Sequence, residues 1–127
     1  MPTINVSISS LGAADSNGCR SATYGEGNGV PNWADVASNG DIDVSRNPNA
    51  NTPGVDIAWT LPSGFVFASS DPVTFNPPST DFSYDSGAGT ATVTVTDSNN
   101  DATVGSEHPY QLHLGDGTSL DPKVINR

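Results

Sequence analysis

The segment Gly54-Val55-Asp56-Ile57-Ala58-Trp59-Thr60-Leu61-Pro62-Ser63-Gly64 decides the fold. In an extended chain Val55, Ile57, Trp59 and Leu61 share one face while Asp56, Ala58 and Thr60 share the other, the period-two pattern of a half-buried strand. Trp59 is therefore the expected centre of a core. Glycine and Pro62 punctuate the segment, and Phe65 and Phe67 follow at once, which predicts a hairpin returning over the same core.

The same alternation recurs on either side. Ile4, Val6 and Ile8 alternate with Asn5 and Ser7, Ile42 and Val44 form a shorter pair, and Ala91, Val93 and Val95 alternate with Thr90, Thr92, Thr94 and Thr96. Tyr110, Leu112 and Leu114 face away from Gln111 and His113, and residues 120–125 close the domain after a tight Gly115-Asp116-Gly117 turn. Residues 73–76 and 81–84 are bracketed by Pro72, Pro77 and Pro78, which confines them to sheet edges or crossovers because proline supplies no ladder donor. Residues 11–40 differ in character. Glycine, Asn, Ser and Asp crowd this span and predict a long loop without regular strands. Within it Pro31 precedes Trp33, Val36 and Ala37 at helical spacing before an Asn39-Gly40 stop, which predicts a turn or two of helix.

Composition supports one all-β domain spanning 1–127. Of the 127 residues, 11 are Val and only 5 Leu, and no long window carries a helical apolar stripe. Leu, Ile, Val and Phe make up about a fifth of the chain beside a formal charge of −10, a border composition that alternation resolves in favour of folding. Four Lys and Arg against fourteen Asp and Glu would repel a phosphate backbone and an anionic bilayer surface alike, so neither nucleic acid nor membrane insertion is expected. Cys19 is the single cysteine and forms no intradomain disulfide. No basic and apolar leader opens the sequence, so compartment stays unassigned, although the Thr, Ser and Asn usage favours an extracellular or surface setting.

Seven to nine short strands separated by Gly, Pro, Asn and Asp turns predict an antiparallel β-sandwich or a barrel. Trp59 in mid-chain, followed by the Tyr110-Gln111-Leu112-His113-Leu114 strand behind an Asp/Gly loop, resembles the core-strand pair of bacterial immunoglobulin-like domains. The resemblance covers roughly residues 40–125. It departs from the family pattern in lacking the usual cysteines and in having His108 where a glycine normally precedes the corner tyrosine. It implies a two-sheet sandwich of the adhesin, fibre or binding-module kind.

Three constellations offer chemistry. Asp97, Asn99 and Asp101 present oxygens at every second residue, the spacing of a loop that wraps calcium, and Asp41 with Asp43 is a second oxygen pair; the plainer reading is solvated Asx turns. Tyr24 and Trp33, among Asn32 and Asp35, have the aromatic-plus-amide make-up of a glycan site; the plainer reading is that both rings pin the loop to the core. The Ile4, Val6 and Ile8 strand ahead of a long loop has the form of an assembly strand that pairs with a neighbouring subunit. His108 and His113 lie five residues apart and point to opposite faces, and no nucleophile elbow links Ser, His and Asp, so no enzyme is expected. The leading functional expectation is a non-enzymatic structural, assembly or adhesion module in a surface fibre or virion-like assembly, with other protein subunits as partners in a homo-oligomer or fibre. A calcium-assisted carbohydrate-binding module with glycan partners is the alternative.

Overall fold

A computed structural model describes residues 3–31, 34–44, 55–78, 80–98, 106–121 and 123–126. These form eleven strand segments and no helix: β1 (Thr3–Ala14), β2 (Arg20–Glu26), β3 (Asp35–Val36), β4 (Ile42–Asp43), β5 (Val55–Thr60), β6 (Val73–Phe75), β7 (Phe82–Ser86), β8 (Thr92–Asp97), β9 (Ser106–His113), β10 (Ser119–Leu120) and β11 (Lys123–Asn126). One sheet has the order β2-β1-β5-β8-β7; the other has the order β10-β9-β11-β4-β3, with β6 paired to β9 as well. The count exceeds the expected seven to nine because β3, β4 and β10 are two-residue pieces.

Trp59 sits where the alternation of β5 puts it. Val55, Ile57, Trp59 and Leu61 are buried together with Val93 and Val95 of the antiparallel neighbour β8, across the core from Tyr110 and Leu112 of β9. The Trp59 and Tyr110 rings stand 5.0 Å apart, and the indole N–H donates to the Tyr110 hydroxyl at 3.0 Å. That hydroxyl in turn donates to the Gly40 carbonyl at 3.0 Å, so a short polar chain crosses the core with each of its own groups satisfied. Residues of both sheets form one core cluster, an arrangement consistent with a β-sandwich.

The sheets are mixed rather than purely antiparallel. β1 runs parallel to β5, with Ile4 opposite Ile57 and Val6 opposite Trp59, and β11 runs parallel to β4. β1 is also longer than its alternation suggested. Its first half lies against β5, while the stretch from Val6 to Ala14 pairs with β2, so much of the span expected as a loop is a β-hairpin. The hairpin tip is an Asx turn: the Asp15 carboxylate accepts from the Asn17 and Cys19 amides at 2.8 and 3.0 Å, and Gly18 takes a φ of 79° that suits glycine.

The expected helix is likewise a hairpin. Asp35 and Val36 pair with Asp43 and Ile42, and Asn39-Gly40 belongs to the connecting turn, with Gly40 at a φ of 93° and the Asn39 side chain accepting from the Asp41 amide. An Asn-Gly pair ends helices and turns hairpins for the same reason, tolerance of positive φ, and here the pairing of Val36 with Ile42 decides between them. Phe65 and Phe67 do not return along β5 either. Buried Phe67 makes an isolated bridge to Leu114, so the chain crosses from one sheet to the other.

The two lateral sides of the molecule differ. Along β2 the sheets are stitched together: the Tyr24 amide donates to Ser38 at 3.0 Å, the Ser119 amide donates to Gly18 at 2.9 Å, and Cys19 bridges Ser119. Arg20 reinforces the seam by donating to Thr118, to the Gly12 carbonyl and to Asp116 at 2.8 to 3.0 Å. On the opposite side β7 ends its sheet, and among the described residues no strand pairs with its outer edge. There the Phe75 and Phe82 rings stack at 3.9 Å between the edge strands β6 and β7, as the flanking prolines foretold.

Buried tyrosines make the seam pH-sensitive. Burial, and then the Asp121 carboxylate, hold the Tyr24 hydroxyl well above the usual tyrosine range. Burial, and then neighbouring Tyr24, do the same for Tyr110, against an opposing effect of the Trp59 hydrogen bond. The unfolded chain releases these protons near pH 10 whereas the folded protein keeps them. Stability is therefore expected to be intact below about pH 10 and to fall as pH rises above it. Urea midpoints from pH 8 to 11 should show this decline, shallower in Tyr110→Phe; a flat profile in the parent protein would contradict it.

Candidate functional site

Three clefts gather at one end of the molecule, built by the connections after β5, β7 and β9. The first, about 350 Å³, is lined by Ala68, Ser70, Asp71, Thr74, His113, Leu114, Gly117 and Thr118. The second, about 260 Å³, shares Asp71 and adds Pro72, Val73, Tyr84 and Ala88. The third, about 300 Å³, shares Leu114 and lies under Phe65, Val66 and Asp116. Val66 and Tyr84, 47 % and 53 % exposed, are the large apolar side chains left open among the described residues, and both flank this end.

Local sequence explains why these connections meet. Leu61 and Phe67 donate their amides to Ala91 and Thr90, while Ala68 and Gly115 bond to His113 and Val66, so the connection after β5 is laced to both of the others. Gly87 permits the close turn after β7. Its φ is 107°, and a Cβ there would collide with the Thr92 carbonyl. Asp71 is the one non-glycine with positive φ among the described residues, at 48°, a conformation Asp tolerates better than most, and it forms the partition between two of the clefts.

Within the first cleft the Thr74 hydroxyl and His113 Nε2 are 2.7 Å apart. A hydroxyl against an imidazole is half of a nucleophile–base arrangement; the other half is a group that orients the ring, and no such hydrogen bond to His113 is present among the described residues. The pair instead ties β6 to β9 at the cleft wall. Asp116 belongs to the rim: hydrogen bonds from Thr118, and then Arg20, hold its carboxyl below the usual range.

The described residues singled out from sequence fall elsewhere. Asp41 precedes β4 and Asp43 is its last residue in one sheet, whereas Asp97 is fully buried at the end of β8 in the other. Among the described residues no three His, Cys, Asp or Glu side chains converge on a metal-sized site, and Asn99 and Asp101 lie outside those residues. Tyr24 is 7 % exposed and packed in the core. Asp35 is exposed on β3, and Asn32 and Trp33 lie outside the described residues. Ile4, Val6 and Ile8 are buried in their own chain, in an inner strand. The cleft end escaped sequence reading because Pro62-Ser63-Gly64, Ser70-Asp71-Pro72, Gly87-Ala88-Gly89 and Gly115-Asp116-Gly117 each signal a turn, and nothing local says that they meet.

No family model and no curated protein matches the chain.

Proposed function

We propose that this protein is a non-enzymatic assembly or adhesion module, built on an immunoglobulin-like sandwich, that joins protein subunits through its open side. The order of strands supports the architectural part: β5, β8 and β7 form an antiparallel set in one sheet, and β6, β9 and the β10 and β11 segments form another opposite it. The single observation that carries the functional part is the asymmetry of the edges. One side is stitched shut through Tyr24, Cys19 and Arg20, whereas among the described residues β7 presents an unpaired ladder beside a half-exposed Tyr84. A free strand edge is a template for another chain, and natural proteins usually cover one that has no use.

Self-repulsion at a net charge of −10 opposes pairing between copies at low salt, and screening removes it. Sedimentation should therefore show a monomer at about 10 mM salt and larger species at about 1 M, where the screening length falls to about 3 Å. A protein that stays monomeric at every concentration and salt and takes up no other chain along β7 would overturn the reading. The alternative, a calcium-assisted carbohydrate-binding module, rests on Tyr24, Trp33, Asn32 and Asp35, and a glycan array with Trp33→Ala as control tests it.

A further inference from the structure

Tyr84 lies opposite Val95 on the β7–β8 ladder and therefore on the core-facing side of its sheet, yet more than half of it is open because the facing sheet stops at the short strand β6. Its hydroxyl accepts from the Ala88 amide at 2.9 Å, which fixes the ring at the mouth of the 260 Å³ cleft against Val73 and Pro72. The result is an open cleft beside β7. Pro72 and Val73 line it together with the exposed carboxylate Asp71, one side is β7, whose outer edge is unpaired among the described residues, and Asp85 is exposed on β7 itself. Arg20 is the one Lys or Arg whose side chain is described, and it is engaged with Asp116, Thr118 and Gly12 rather than with these carboxylates.

Resting on the reading above, we infer that the cleft between Val73 of β6 and Tyr84 of β7, beyond the Phe75–Phe82 stack, receives an extended, basic segment of a different protein, which adds to β7 as a further strand. One of its apolar side chains seats beside Tyr84 and Val73, and its Lys or Arg side chains meet Asp71 and Asp85. A row of backbone donors and acceptors is matched by another backbone, and alternate side chains then reach the cleft. Charge selects the partner. A second copy brings another −10 and its own Asp85 to the same edge, whereas a cationic segment is drawn to it.

The probe is a synthetic peptide of about nine residues, long enough to span a strand, alternating valine with lysine and threonine, titrated into the isotope-labelled full chain at physiological salt. Amide shifts are expected at residues 69–73 and 82–86. Affinity should drop about tenfold or more in Tyr84→Ser and in Asp85→Lys, and for a peptide with glutamate in place of lysine. Absence of binding, shifts elsewhere, or equal affinity for the glutamate peptide would overturn the inference. So would the same shifts appearing on raising protein concentration alone, which would assign the cleft to a second copy, or with neutral oligosaccharides, which would assign it to sugars. Oligomers at high salt without peptide binding would remove the basic partner and leave the assembly reading standing.

Discussion

Trp59→Ala is expected to destabilise the protein by about 3–5 kcal/mol, the range for emptying a large aromatic site in a packed core. Trp59 is fully buried between β1 and β8, and Tyr110 leans on it from the other sheet at 5.0 Å. Neighbours on three strands would have to move to refill the space, so little of the cavity would collapse. The indole N–H also satisfies the Tyr110 hydroxyl, which keeps only its bond to Gly40 when the indole is gone. Trp59→Phe separates the two effects: it keeps a ring and loses the donor, a loss of about 1 kcal/mol for the hydrogen bond plus a smaller packing defect. Denaturant unfolding measures both. If Trp59→Ala stays within about 1 kcal/mol of the parent protein, the core is not centred where the two sheets place it.

Deletion of residues 1–10 is the second large effect. It removes Ile4, Val6 and Ile8, each almost completely buried, and burial of such side chains is worth roughly 1.5–3 kcal/mol apiece. Their sum rivals the whole stability of an ordinary domain, about 5–15 kcal/mol. The deletion also strips ladder partners from β5 and from β2, since β1 lies between them. The truncated chain is expected to show no cooperative unfolding transition and to lose dispersed amide signals. Adding a peptide of residues 1–10 tests strand donation directly: recovery of the transition in trans would mean that the slot accepts a strand from elsewhere. A truncated chain that still folds cooperatively would show that β1 is dispensable to its own core.

The elements legible in the sequence are those buried on one face. β5, β8 and β9 alternate cleanly because Trp59, Val93, Val95, Tyr110 and Leu112 face a common interior while Thr94, Thr96 and Gln111 do not. The edge status of β6 and β7 was readable from the prolines around them. The outer part of the β1–β2 hairpin was not, because beyond Ile8 only Leu11 and Ala22 pack against the core, too few apolar side chains to set a hydrophobic period. Asn39-Gly40 was ambiguous for the reason given by its φ. The candidate site was the least legible, since its clefts arise from connections separated by tens of residues, and only the sheet order brings Ser69 to Ala88 and Val66 to Leu114.

The parallel pair of β4 and β11 has a kinetic consequence. Ile42 meets Val124, and that partner is synthesised long after β4. Joining segments so remote along the chain requires a large loop to close before any contact rewards it, which slows folding. During synthesis β1 and β2 can meet early as a local hairpin, but β4 waits for β11, and until then its sheet lacks the strand that links it to β9. Refolding should accordingly be slow compared with a helical chain of the same length, and a nascent chain halted before Val124 should remain protease-sensitive around Ile42 and Val44 while the hairpin ahead of them is already protected.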